Sequence, residues 1–235
     1  PKKPNGIYHN KALSTLWNAM IVPILPFTIK GVIWYQGESN SIRHQDYRYV
    51  FTKMINSWRK EWKQGDFPFY FVQIAPHYKQ PPHIREAQLE TWKSTRNTGM
   101  VVITDAADST DIHPRHKQIP GERLARWALA NTYGKNIPYS GPTYHSHVVI
   151  DNKVHVTFDY AENGLVTSDK KTITGFSLAG PDKVFYPATA TIEGNRVILF
   201  TPQVKVPMAI RYNWNKYFQA NFYNQEGLPA SPFRT

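Results

Sequence analysis

Between Gly31 and Tyr133 the chain alternates three times between a short apolar run and a longer segment of helical periodicity, and few folds accept that alternation. Residues 32–35, 67–74 past Pro68, and 100–104 are rich in β-branched and aromatic side chains and read as buried strands. Residues 46–62, with Tyr49, Val50, Met54, Trp58 and Trp62 on one face, predict an amphipathic helix, with Arg48, Lys53, Arg59 and Lys60 largely elsewhere. Residues 85–95 and 121–133 predict two more, the last with Ala125, Leu129 and Ala130 available for packing. Strand and helix in strict alternation with short connections indicate a parallel sheet covered by helices. The carboxyl ends of such strands form the ligand crevice, and each run here ends in polar residues. These are Gln36-Gly37-Glu38 after the first, Ala75-Pro76-His77-Tyr78 after the second, and Asp105, Asp108, Asp111 and His113 after the third.

Leu13, Leu16, Trp17, Met20 and Ile21 fall at helical spacing before Pro23, and residues 1–6 read as a mid-protein linker, from which the expectation is that this chain is part of something longer. Beyond residues 137–142 the pattern changes to short strands at 147–150, 153–158, 175–179, 186–192, 196–200 and 208–212, with Asp151-Asn152 and Glu193-Gly194-Asn195 as hairpin turns. The expected division is therefore 1–138, part of an α/β domain, and 139–235, a β-rich accessory domain. There is no internal repeat.

Lys and Arg outnumber Asp and Glu by 28 to 17, a formal charge of +11, but the basic residues are scattered and no nucleic-acid motif accompanies them. The charge fits solubility or attraction to an acidic glycan better than nucleic-acid recognition. The absence of cysteine excludes disulfides, a thiol nucleophile and thiolate metal sites. No apolar run approaches the roughly 20 residues that span a bilayer, since Pro23 and Pro26 break the longest one, and no signal peptide opens the chain.

Asp111-Ile-His113-Pro114 sets a carboxylate two residues before an imidazole on a loop after a strand. An imidazole serves as base for a hydroxyl nucleophile when a carboxylate fixes its tautomer. The alternatives are a loop histidine ahead of the next helix and, for Gln36 and Glu38, simple turn residues. Arg85 and Gln88 are one helical turn apart; they either contact a sugar carboxylate or lie on a solvated face. His77 and Tyr78 either line the pocket or cover the sheet. His145 and His147 read as strand residues rather than metal ligands, and Trp214, Tyr217 and Phe218 as packing residues rather than a sugar platform.

Trp34-Tyr-Gln-Gly-Glu-Ser-Asn40, Phe69-Tyr-Phe-Val-Gln-Ile-Ala-Pro76, Arg85-Glu-Ala-Gln88, Asp111-Ile-His-Pro114 and the closing segment from Tyr223 to Arg234 together resemble the sialate O-acetylesterase family of SGNH hydrolases. Related esterases that deacetylate xylan share the Gln-Gly-Glu and His blocks. The resemblance implies an SGNH/flavodoxin-like three-layer parallel sheet, incomplete in this chain, followed by the β-rich domain. It implies hydrolysis of O-acetyl esters on sialic acid by a serine, without metal or other cofactor, in an extracytoplasmic setting, with neither nucleic acid nor membrane as partner. An acetylxylan esterase and a non-catalytic carbohydrate-binding protein are the alternatives. His113 would be the base and Asp111 its orienting carboxylate; the usual spacing puts the Asp three residues before the His, where Thr110 stands, so Asp108 and Glu38 are rivals. Gln36 and the Gly37 N–H would form part of the oxyanion hole, with Arg85 and Gln88 as further binding residues. The family's Gly-Gln-Ser-Asn nucleophile block has no counterpart. Ser14, Ser39 and Ser109 lie in the wrong contexts, so an upstream fragment of the same precursor is the expected partner.

Overall fold

The computed structural model describes residues 14–235. Strands β1 (Val32–Trp34), β2 (Phe69–Val72) and β3 (Thr98–Val101) form a parallel sheet in that order. Each is followed by a helix: α1 (His44–Trp62), α2 (Pro82–Ser94) and α3 (Gln118–Asn131). Phe69, Phe71 and Met100 point into one cluster with Phe51, Ile55 and Leu89, whereas Tyr70, Val72 and Val101 join Leu124 and Trp127. Alternate residues of a strand face opposite sides, so α1 and α2 cover one face and α3 the other.

The inward faces of the helices differ from those expected. On α1 the buried row is Tyr47, Phe51, Ile55, Arg59 and Trp62, while Tyr49 and Val50 are exposed. A row at i, i+4 and i+8 carrying aromatic rings packs the sheet more fully than the Tyr49–Val50 pair. Arg59 joins this row because its guanidinium donates to Phe67 O (3.1 and 2.8 Å) and Asn97 O (2.9 Å), which satisfies it under the loops. On α3, Leu124 and Trp127 point inward; Ala125 and Leu129 are exposed. Trp127 lies directly over Gly99, where a Cβ would come within 2.3 Å of the indole.

β1 is the edge of this sheet, and Ile33 is 68% exposed rather than buried. Before it, a π-helical turn (Trp17–Ile21) leads into a 3-10 turn (Val22–Ile24) that contains Pro23. The segment is helical as expected; Ile21 packs on the core and Trp17 lies 6.3 Å from Trp58, whereas Leu16 and Met20 are exposed. Leu13 and the linker at 1–6 fall outside the described residues.

The remaining strands are antiparallel. β4 (Thr143–Ile150), β5 (Lys153–Asp159), β10 (Arg196–Phe200) and β9 (Thr189–Glu193) make one sheet. β13 (Phe233–Arg234), β11 (Ala209–Tyr212), β7 (Phe176–Ala179) and β8 (Phe185–Pro187) make a second, and β12 (Phe222–Asn224) pairs with β6 (Leu165–Thr167). The single strand expected at 186–192 is divided between the two sheets, because Pro187 has no N–H to extend a ladder. On β4, His145 pairs with Asp159 (2.9 Å) and His147 with the Tyr144 hydroxyl (2.8 Å), so the two imidazoles have separate partners. One apolar cluster runs from Phe51 and Phe69 through Val156 and Leu199 to Tyr212 and Phe222, joining both halves. Among the described residues, no helix is long and apolar enough to cross a membrane.

Gly99→Ala drives a methyl group into the Trp127 and Tyr70 rings. We expect a loss of about 1–3 kcal/mol in unfolding free energy, measured by urea denaturation.

Candidate active site

The turn after β1 is built by side chains reaching in from three directions. Tyr47, one turn into α1, donates its hydroxyl to Gln36 O at 3.0 Å. Gln88 of α2 is fully buried; its Oε1 accepts Ile74 N–H at 2.9 Å, and its Nε2 donates to Val72 O (3.3 Å) and Gln36 O (3.4 Å). The side chain thus ties the carboxyl ends of β1 and β2 together. Gln80 Nε2 donates to Glu38 O at 3.3 Å. Gly37 is required by this packing, since a Cβ would lie 2.9 Å from both Gln88 Nε2 and Ile74 Cγ2.

Within the turn, Gln36 Nε2 donates to Asn40 Oδ1 at 2.9 Å, which sets the carboxamide's orientation and leaves its second N–H unassigned. Gly37 N–H donates to Glu38 Oε2 at 3.0 Å. Tyr35 precedes the turn; burial first, then the Glu38 charge, pushes its phenol up to about 12.

After β3 the chain makes a hydrogen-bonded loop. Asp108 Oδ1 accepts Thr110 N–H (2.8 Å), Thr110 Oγ1–H (2.7 Å) and Asp111 N–H (3.2 Å), and these bonds hold its carboxyl below the ordinary carboxylate range. Asp111 Oδ1 accepts His113 N–H at 2.9 Å and lies 3.7 Å from His113 Nδ1. The His113 side chain is 81% exposed. Lys117, at the entry to α3, lies 4.6 Å over the Tyr35 ring, and Tyr35 packs on the cluster containing Ala106. The connection that carries His113 and the Gln36–Glu38 turn therefore lie at the same end of the sheet.

The C-terminal part of the chain folds back over this end. His77 is buried, and its N–H donates to Lys216 O at 2.9 Å. Tyr78 is exposed, its ring 5.0 Å from Tyr217. Arg85 is fully buried; it donates to Asn215 O and lies 5.5 Å from the Phe218 ring centroid. Burial draws its guanidinium down to about 10. Arg234 closes the arrangement with a two-pronged pair to Glu86 (2.7 and 3.0 Å) under Trp214. Arg85 and Gln88 are thus not on a solvated face: one anchors the 215–218 strap, the other the β1 turn. Buried polar atoms without hydrogen-bond partners in this region include Tyr35 Oη, Gln73 Oε1, Gln80 Oε1, Arg85 Nε and Nη1, and Thr104 Oγ1; others lie elsewhere, among them Trp127 Nε1, Arg211 Nε and Tyr212 Oη.

Tyr47, Gln80 and Asn215 were not singled out in the sequence. Tyr47 carried a signal, as a hydroxyl on the aromatic row four residues before Phe51; the bonds from Gln80 and Asn215 join residues 42 and 130 positions apart. Among the described residues, no three His, Asp or Glu side chains are grouped to hold a metal ion.

Residues 3–133 match the family profile described as carbohydrate esterase, sialic acid-specific acetylesterase. The chain belongs to that family. It is 31% identical to the sialate O-acetylesterases of Mus musculus and Homo sapiens, over 94% of this chain and 47% and 48% of theirs. It therefore spans about half the length of the curated relatives it matches. The crystal structure of a carbohydrate acetylesterase from Xanthomonas citri superposes with a TM-score of 0.88 at 39% identity, covering 94% of this chain and 53% of that one. The family assignment thus rests on the α/β half, and the structural likeness extends through the β-rich half that supplies the strap.

Gln88→Leu removes the acceptor for Ile74 N–H and both donated bonds while keeping the apolar volume. The expected cost is about 1–3 kcal/mol by chemical denaturation, with faster amide exchange at Ile74.

Proposed function

We propose that the native protein is a serine carbohydrate O-acetylesterase in which these residues supply the base, its orienting carboxylate and part of the oxyanion site. The carrying observation is the Asp111–His113 pair at the same sheet end as the Gln36–Glu38 turn, in a chain of a carbohydrate-esterase family. His113 takes the serine proton as the hydroxyl attacks the acetyl carbonyl and returns it to the departing sugar oxygen. Water then cleaves the acetyl-enzyme by the same base, releasing acetate and restoring the serine. Asp111 orients the imidazole: its Oδ1 is already bonded to the His113 backbone, and a small ring rotation closes the 3.7 Å gap to Nδ1. Asp111 is preferred to Asp108 and Glu38 because it is the one of the three whose carboxylate comes near the His113 ring, at 3.7 Å; Asp108 accepts from Thr110 and Asp111, and Glu38 from Gly37.

Oxyanion stabilisation falls to the second N–H of Gln36 and to Gly37 N–H. Asn40 holds the first in orientation. The second must exchange Glu38 for the developing charge, so Glu38 is a brace that yields during the reaction.

We assign the nucleophile to a segment that precedes these residues in the native protein. The curated relatives are about twice as long. The outer edge of β1 is unpaired among the described residues, and exposed Ile33 opens onto a groove with Tyr70, Ala128, Thr132 and Tyr133, which one further strand and helix would cover. The substrate we assign is O-acetylated sialic acid.

Acetate release from O-acetylated sialosides and from acetylated xylan tests the assignment. The sialoside is expected to be preferred, with His113→Ala lowering kcat about 10²–10⁴-fold and Asp111→Asn costing more than Asp108→Asn or Glu38→Gln. Preference for xylan would move the substrate, and glycan binding without hydrolysis would leave a binding protein. Full activity in His113→Ala would remove the mechanism.

A further inference from the structure

A cavity of about 280 Å³ opens beside the His113 loop, between the turn that leaves β3 and the strap that Arg85 anchors. One wall is Thr104, Asp105 and Ala107; the other is Tyr217, Phe218 and Tyr223. None of these side chains has a role in the chemistry described above. We propose that this cavity is a subsite for one pyranose ring of the glycan that carries the acetyl ester. The proposal rests on the carbohydrate-esterase reading and deepens it.

The composition of the walls supports a sugar. The three aromatic rings are half-buried and line the cavity, so part of each side chain is open to a bound pyranose. They are also held in place. Phe218 lies against the buried Arg85 guanidinium at 5.5 Å, Tyr217 against Tyr78 at 5.0 Å, and His77 N–H fixes the strap backbone through Lys216 O.

The opposite wall supplies hydrogen bonding. Arg123 grips Asp105 with two bonds, Nη1 to Oδ1 at 2.7 Å and Nη2 to Oδ2 at 2.6 Å, and also donates to Val102 O at 2.7 Å. A carboxylate gripped on two oxygens keeps lone pairs for hydroxyl donors, and its charge is neutralised by its partner. Thr104 Oγ1 is buried beside it without a hydrogen-bond partner.

Aromatic faces opposite a fixed, neutralised acceptor recognise polyols through stacking and hydroxyl donation. The volume falls just below the ~300–1,000 Å³ of drug-sized pockets and suits a single ring. Asp105 and Ala107 belong to the same β3–α3 connection that carries His113, so the cavity lies at the sheet end that carries the base. Two larger depressions, of about 460 Å³ at Tyr139 and Tyr160 and about 490 Å³ at His44 and His83, share no residue with that loop.

The test compares kcat/KM for an O-acetylated sialoside and for 4-nitrophenyl acetate, which has no sugar ring, in the native protein. Calorimetric binding of the deacetylated methyl sialoside provides a second readout. Tyr217→Ala and Asp105→Asn are each expected to lower the sialoside's kcat/KM at least about tenfold more than the aryl ester's, and to weaken sialoside binding similarly, with Tyr217→Phe close to wild type. Equal losses on both esters, or unchanged sialoside binding in both variants, would overturn the subsite. If the wild type bound the sialoside through these residues yet hydrolysed neither ester, the esterase reading would fail and the subsite would stand.

Discussion

The Gln88 carboxamide is the interaction on which the rest of the site depends. It sits fully buried on α2 and makes three bonds to backbone from both sides of the crevice, to Val72, Ile74 and Gln36. A parallel sheet leaves the groups beyond its strand ends without ladder partners, and a buried amide with a donor and an acceptor end satisfies them on both strands at once. Gly37 follows from this, since no other residue lets the turn approach Gln88 and Ile74 so closely. Tyr47 locks the Gln36 carbonyl from α1 as well, and within the fixed turn Gly37 N–H donates to Glu38 and the Gln36 carboxamide to Asn40.

A second constraint comes from the far end of the sequence. Arg85 buries a full guanidinium with one hydrogen bond to the Asn215 carbonyl and the Phe218 ring nearby. Burying a charge is costly unless it is paired and hydrogen-bonded, and Arg85, with Nε and Nη1 unpartnered, bears that cost while fastening a strap from the β-rich half onto the layered half. The Arg234–Glu86 pair and the continuous apolar cluster do the same over a larger area. The β-rich half is thus part of the site's construction, and its aromatic residues form one wall of the crevice.

Much of this was legible in the sequence. The three strands, the three helices and the polar strand ends follow from periodicity, because β2 is apolar on both faces and the helices carry clear apolar rows. The placement of the Gln36–Glu38 turn after β1 and of the Asp111–His113 pair after β3 is local and readable in the sequence. On α1 the expected Met54, Trp58 and Trp62 do pack on the core, whereas Tyr49 and Val50 are exposed and the Tyr47–Phe51–Ile55 row takes their place. Arg59, Arg85 and Gln88 look like surface residues in sequence; their burial depends on carbonyls of Phe67, Asn97, Asn215 and Val72, which come near only after folding. The exposure of Ile33 was hidden for the same reason, since nothing local tells an edge strand from a central one.

The central claim is that His113 activates a serine lying outside these 235 residues. Labelling the native protein with a fluorophosphonate, which reacts only with an activated serine, and mapping the adduct by peptide mass spectrometry tests it directly. The account predicts one labelled serine on the preceding segment, with labelling lost in His113→Ala. A label on Ser14, Ser39 or Ser109, or labelling that persists without His113, would contradict it.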